Sequence, residues 1–298
     1  MSSPRFGHVL TAMVTPFSPE GKVDLDVATE LARYLVANGS DGLVVAGSTG
    51  EGPALSDDEK FELFAQIANA VTVPVLAGST FANTQQSVEL TKRLKGTAVA
   101  GVLATTPAYS RPNQAGIKGH LSAIAAATEL PVMLYDIPSR TGRKIAGETT
   151  IALVQEHTNV VALKDASGDL NTARHVKQTL GERIDLYSGD DGLLLDFLAE
   201  GAVGIVSVAS HWAGPEFQSL IGSFEQGDLT TAQQFAEQLA PSCIFEGNET
   251  YPNPMPSKAM MRVIGIPVGQ CRLPHAPSDE VLDAQAAVLW SEVCSSRG

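Results

Sequence analysis

Eight short apolar runs punctuate the chain, at residues 8–14, 42–46, 73–77, 99–104, 132–135, 160–163, 184–187 and 203–208. They are mostly continuous rather than alternating, which predicts strands buried on both faces. The segments between them carry helical signals. Ser56 is followed three residues later by Glu59, a capping box, and Phe61, Phe64, Ala65 and Ala68 then recur at helical spacing. Strand and helix alternate at intervals of about 20 to 35 residues, the pattern of a parallel sheet covered by helices. Eight such units in about 220 residues predict a (β/α)8 TIM barrel. A doubly wound sheet is the alternative, but no G-x-G-x-x-G fingerprint follows the first strand and no GxxxxGK[ST] loop occurs.

After Gly227 the strand signals stop. Residues 229–245, 257–264 and 278–293 read as helices, the last with Leu282, Ala286 and Leu289 on one face, separated by Pro- and Gly-rich loops at 246–256 and 265–277. The expected organisation is a catalytic α/β barrel over 1–227 and a C-terminal helical domain over 228–298. The helices could pack on the barrel or on another subunit.

A formal charge of −13 argues against nucleic acid and against an anionic membrane surface, so an anionic substrate needs a local positive site. Cys243, Cys271 and Cys294 are far apart and form no CxxC pair, which excludes the usual zinc patterns and suits a reducing cytoplasm. The six histidines show no HxH, HxxxH or HExxH spacing, so neither a metal nor a cofactor is expected. No apolar run approaches the roughly 20 residues of a membrane span, and residues 9–14 are too short for a signal sequence.

One run ends anomalously. Val160-Val161-Ala162-Leu163 leads straight into Lys164, followed by the turn-like Asp165-Ala166-Ser167-Gly168-Asp169. An amine at a buried strand end loses hydration, and desolvation lowers a lysine pKa by up to roughly 3–5 units. Such an amine can attack a ketone to form a Schiff base. A lysine that reaches past the strand, or pairs with Asp165, is the structural alternative. Of the other lysines, Lys22 sits in a turn and Lys144 in a loop, while Lys60, Lys92, Lys95, Lys118, Lys177 and Lys258 fall in polar helical patterns.

Barrel chemistry gathers at the C-terminal strand ends, and four more stretches fall there. Gly47-Ser48-Thr49-Gly50-Glu51 offers backbone N–H groups for a carboxylate, or a plain strand–helix turn. Thr105–Pro112 holds Tyr109 between two prolines. Tyr135-Asp136-Ile137-Pro138-Ser139-Arg140-Thr141-Gly142 offers a proton-transfer phenol and a two-pronged carboxylate clamp, or a packed tyrosine and a surface arginine. Ser188-Gly189-Asp190-Asp191 offers a carboxylate pair for acid–base work, or a helix cap, which is preferred.

GSTGE, YDIPSRTG and LKDASGD, in this order, resemble the pyruvate-dependent class I aldolase superfamily that includes N-acetylneuraminate lyase and dihydrodipicolinate synthase. The resemblance runs from about Leu10 to Leu273. Arg140 within PSRTG, with SGDD and the NPMPSK of residues 253–258, looks like the synthase branch. The resemblance implies a metal-independent lyase that condenses pyruvate with L-aspartate 4-semialdehyde to 4-hydroxy-tetrahydrodipicolinate, the first committed step of diaminopimelate and lysine biosynthesis. A Schiff-base aldolase acting on a 2-keto-3-deoxy sugar acid or N-acetylneuraminate, and a non-catalytic pyruvate-binding regulator, are the alternatives. It implies an imine on Lys164, a hydroxyl relay of Tyr135, Ser48 and Tyr109, and Tyr109 reaching into a neighbouring subunit of a dimer or tetramer. Thr49 would hold the pyruvate carboxylate, Arg140 the carboxylate of the semialdehyde, and Gly189 and Val206 the pyruvate pocket. Ser48 departs from the usual threonine and keeps the hydroxyl. Asp136 departs from a usual asparagine and adds a charge beside Tyr135 that would weaken binding of a dianionic acceptor. Feedback by lysine is expected to be weak or absent, because the matching positions hold Asp57, Lys60, Ala82, Gln86 and Ala108.

Overall fold

A computed structural model describes residues 4–80 and 82–297. The eight apolar runs form β1 (Val9–Ala12), β2 (Gly42–Val45), β3 (Val75–Ala77), β4 (Gly101–Thr105), β5 (Val132–Asp136), β6 (Val160–Asp165), β7 (Asp185–Ser188) and β8 (Gly204–Ser207). All neighbours are parallel, and β8 returns to β1, closing the barrel. The doubly wound alternative is thereby excluded. In register, Tyr135 lies beside Lys164, and Lys164 beside Tyr187.

Alternation along each strand divides the core in two. Leu10, Ala12, Val44, Leu76, Leu103, Met133, Tyr135, Ala162, Tyr187 and Val206 fill the interior, with Phe6 packed among them. The Tyr187 hydroxyl donates to the Gly7 carbonyl at 3.1 Å, and a Cβ at Gly101 would meet the Phe6 ring at 3.1 Å. The N-terminal end is therefore plugged, and chemistry is left to the opposite end. Val9, Leu43, Val45, Val75, Val102, Leu134, Leu163 and Ile205 face outward into the helix layer. Each fully buried side chain of this size contributes roughly 1.5–3 kcal/mol.

The return helices begin where a polar side chain satisfies the first N–H groups: Asp24, Ser56, Asn83, Asn113 and Asp169 each accept from the third residue on. Ser56 and Glu59 complete the capping box. In helix Asp57–Ala70, Lys60, Leu63, Phe64 and Ile67 are buried, and Phe61 and Ala68 pack half-buried against the same core. The Phe61 ring also lies under the Arg93 guanidinium at 4.6 Å.

Helices Leu229–Phe245, Met255–Ile264 and Glu280–Ser296 follow the barrel and pack on it. Trp212 Nε1 donates to Ser242 Oγ at 2.9 Å, and the Trp212 and Phe245 rings meet edge to face at 6.0 Å. The last helix buries Leu282, Ala286 and Leu289, the face read from its sequence. No helix among the described residues is long and apolar enough to cross a membrane.

Candidate active site

The open end of the barrel assembles the strand-end motifs. Lys164 is 4% exposed, and its Nζ lies 4.2 Å from the centroid of the Tyr135 ring. It makes no ion pair among the described residues, so Asp165 is not its partner. Asp165 turns outward and accepts from Ser167 N at 2.8 Å. Burial pushes the amine down to about 8, opposed by the charges of Asp191 and Glu246 and assisted by Arg140. About a tenth of it is then neutral at pH 7. Gly189 is required here, since a Cβ would stand 3.0 Å from Lys164 Cγ and Cε.

Tyr135 is buried beside the amine; burial raises its pKa, opposed by Arg140 and the neighbouring Ser48 side chain, so its hydroxyl stays protonated. The turn that presents Ser48 and Thr49 is held in strained backbone: Ala46 (φ 53°) and Glu51 (φ 54°) are both left-handed. Crowding enforces the turn. A Cβ at Gly78 would stand 2.5 Å from the Ala46 carbonyl oxygen, and one at Gly50 2.9 Å from Ala46 N. Thr49 is buried, and its Oγ1 accepts from Asn253 Nδ2 at 3.0 Å. Arg140 is at the exposed rim, where its Nη2 donates to the Asn253 carbonyl at 3.2 Å. Val206 is buried in the barrel wall.

Above this chamber opens a cavity of about 570 Å³ lined by Ser48, Ala82, Ala108, Arg140, Leu273 and His275. Tyr109 does not line it. The ring is 97% exposed on a left-handed backbone (φ 70°), and Arg111, also left-handed, ties the loop to the Gly142 carbonyl at 2.9 Å. Within a single chain Tyr109 is therefore not brought to Tyr135 and Ser48.

Two sequence readings change. Asp136 follows Tyr135 on the opposite face of β5, and its Oδ1 accepts from Ile145 N at 3.0 Å, so its charge does not face the chamber. Burial raises it to about 7 despite that bond, with Asp165 adding to the rise. The SGDD carboxylates are caps, as preferred, but for different elements. Asp190 Oδ1 accepts from Gly192 N at 3.0 Å, whereas Asp191 Oδ2 accepts from Ser207 Oγ and Ala209 N at 2.7 Å each. Asp191 thus ties the end of β8 to that of β7.

Three groups escaped the sequence reading. Asn253 bridges Thr49 and Arg140. Burial, with the charge of Asp191 nearby, holds Glu246 well above the usual carboxylate range. Lys258, which read as a helix-surface lysine, is 1% exposed and lies 2.6 Å from Glu51 Oε1, while Glu51 Oε2 accepts from Arg272 N at 2.8 Å. The NPMPSK signature carried the first and the last of these. Among the described residues no three His, Cys, Asp or Glu side chains gather as a metal site.

Residues 5–291 match the model of the dihydrodipicolinate synthetase family. A 4-hydroxy-tetrahydrodipicolinate synthase of Halalkalibacterium halodurans is 46% identical, over 91% of this chain and 93% of its own. One from Prochlorococcus marinus is 45% identical over 99% and 98%. A crystal structure of the Cyanidioschyzon merolae enzyme with lysine bound superposes with a TM-score of 0.94 at 39% identity, covering 97% of this chain and 99% of that one. The chain belongs to the dihydrodipicolinate synthetase family.

Proposed function

We propose that this chain is a 4-hydroxy-tetrahydrodipicolinate synthase that condenses pyruvate with L-aspartate 4-semialdehyde through a Schiff base on Lys164. The observation that carries the reading is the buried Lys164 amine, brought to about 8 with no ion pair among the described residues, facing Tyr135 at the open end of the barrel. The neutral amine attacks C2 of pyruvate, and Tyr135 supplies the proton with which the carbinolamine hydroxyl leaves as water. The imine draws electrons from C2, C3 loses a proton, and the enamine attacks the aldehyde carbon. The amino group of the acceptor then attacks C2 and frees Lys164. Thr49 and the turn amides hold the pyruvate carboxylate, and Arg140 the acceptor carboxylate. Gly189 and Val206 complete the pyruvate pocket.

Tyr109 completes the relay from a second copy, which makes the working unit at least a dimer; its full exposure on a pinned loop supports this. Free lysine regulates the reaction weakly. Gln86 Nε2 donates to Asp57 Oδ1 at 3.3 Å, Lys60 is buried with the Asp57 charge acting on it, and Ala82 and Ala108 offer no polar side chain. The reaction belongs in the cytoplasm, where the free cysteines stay reduced.

Borohydride with pyruvate should add one pyruvate-derived mass to Lys164, and a chelator should leave turnover with the semialdehyde intact. Arg140→Ala should cost about 10- to 150-fold in that turnover while sparing the trapped mass, and millimolar L-lysine should leave the rate unchanged. Trapping elsewhere, or no condensed product, would overturn the reading. Faster turnover of a sugar-acid substrate would instead assign the chain to the other branch.

A further inference from the structure

Asn253 joins two positions that are remote in sequence. Its side-chain amide donates to Thr49 Oγ1 at 3.0 Å, while its main-chain carbonyl accepts from Arg140 Nη2 at 3.2 Å. The residue is packed from behind, since a Cβ at Gly247 would stand 3.0 Å from Asn253 N. Its Oδ1 is buried and has no protein partner among the described residues, so the Thr49 contact is what orients the amide.

We propose that Asn253 is a positioning residue that aims the Thr49 hydroxyl proton at the pyruvate carboxylate and fixes the Arg140 guanidinium relative to it. The inference rests on the roles of Thr49 and Arg140 proposed above. A hydroxyl has one proton to give and two lone pairs to receive. The Asn253 N–H occupies a lone pair, which leaves the proton free for the ligand. An oxygen in place of that nitrogen would draw the proton to itself and turn lone pairs toward the carboxylate. Because the Asn253 carbonyl also receives Arg140, the two anion-holding groups share one reference point.

The orientation can be read by an isosteric swap. Asn253→Asp keeps the shape but can only accept, and it adds a negative charge. Asn253→Ala removes the contact and leaves Thr49 free to donate. The pyruvate concentration that half-saturates borohydride trapping, measured without an acceptor, should rise about 3- to 10-fold in Asn253→Ala and about 30-fold or more in Asn253→Asp, with the maximal trapping rate changing less. A packing role predicts the reverse order, which would overturn the proposal. Should Asn253→Asp not fold, a cycle with Thr49→Val decides: Asn253→Ala should add less than about 2-fold in that background, and a fully multiplicative loss would overturn the proposal. Failure of the wild-type chain to trap pyruvate would remove the underlying reading; trapping with the reversed order removes this inference alone.

Discussion

Lys164 and Lys258 make a natural pair. Both are buried, and both hold Nζ over an aromatic ring, Tyr135 at 4.2 Å and Phe17 at 4.1 Å. Burial pushes both amines down. The difference lies in the next neighbour. Lys258 has Glu51 Oε1 at 2.6 Å and donates to the Gln270 carbonyl at 3.0 Å. Lys164 feels Asp191 and Glu246 without bonding to either. A carboxylate in contact favours the charged form of an amine; carboxylates that act on it without bonding leave its lone pair available, as proposed for Lys164. Burial alone therefore does not single out the lysine proposed as the nucleophile. The Lys258 pair also has a task, since Glu51 ends the turn that presents Ser48 and Thr49 and so fastens it to the C-terminal helices.

The largest expected effect comes from treating the two amines alike. Lys258→Met leaves Glu51 as a buried, unpaired carboxylate and should cost about 3–5 kcal/mol of stability. Lys164→Met removes an amine with no partner to strand, so unfolding should be unchanged or shifted upward while pyruvate trapping disappears. Denaturant unfolding of the two variants checks this, and equal destabilisation would undo the distinction.

A smaller effect sharpens the half of the pair proposed to react. The neutral fraction of Lys164 grows as pH rises and levels off above about 8. The rate of reductive trapping at low pyruvate should therefore climb close to tenfold per unit well below pH 8, then flatten. A limb that continues toward the ordinary lysine value near 10.4 would show an amine hydrated like a surface one.

Much of this was legible in the sequence because it depends on local pattern. Continuous apolar runs located all eight strands, and Lys164 stood out because a run ended on it. What escaped depends on partners remote in the chain. Lys258 reads as a polar helix position until Glu51 is placed against it, and Asn253 until Thr49 is. Lys60 in helix Asp57–Ala70 is another case, since it reads as a polar helix position and is buried. Tyr109 is the converse: the sequence marks the loop, while one chain leaves its ring facing solvent.

The smallest effect concerns the strand ends that carry Tyr135 and Lys164. The next residues, Asp136 and Asp165, are paired in register and both buried. Burial raises both, Asp136 to about 7. A carboxyl raised in the fold contributes stability that is fully present below its unfolded value near 3.9 and is lost as pH rises through the folded value, here about 7. Asparagine has the same shape and no charge, and its Oδ1 can keep the bond from Ile145 N. Asp136→Asn should therefore match the wild type in acid and be more stable at pH 8, by about 1–3 kcal/mol. Thermal midpoints at pH 4 and pH 8 separate the cases. A gain of equal size at both would mean that the asparagine improves packing, and that the Asp136 charge costs the barrel nothing.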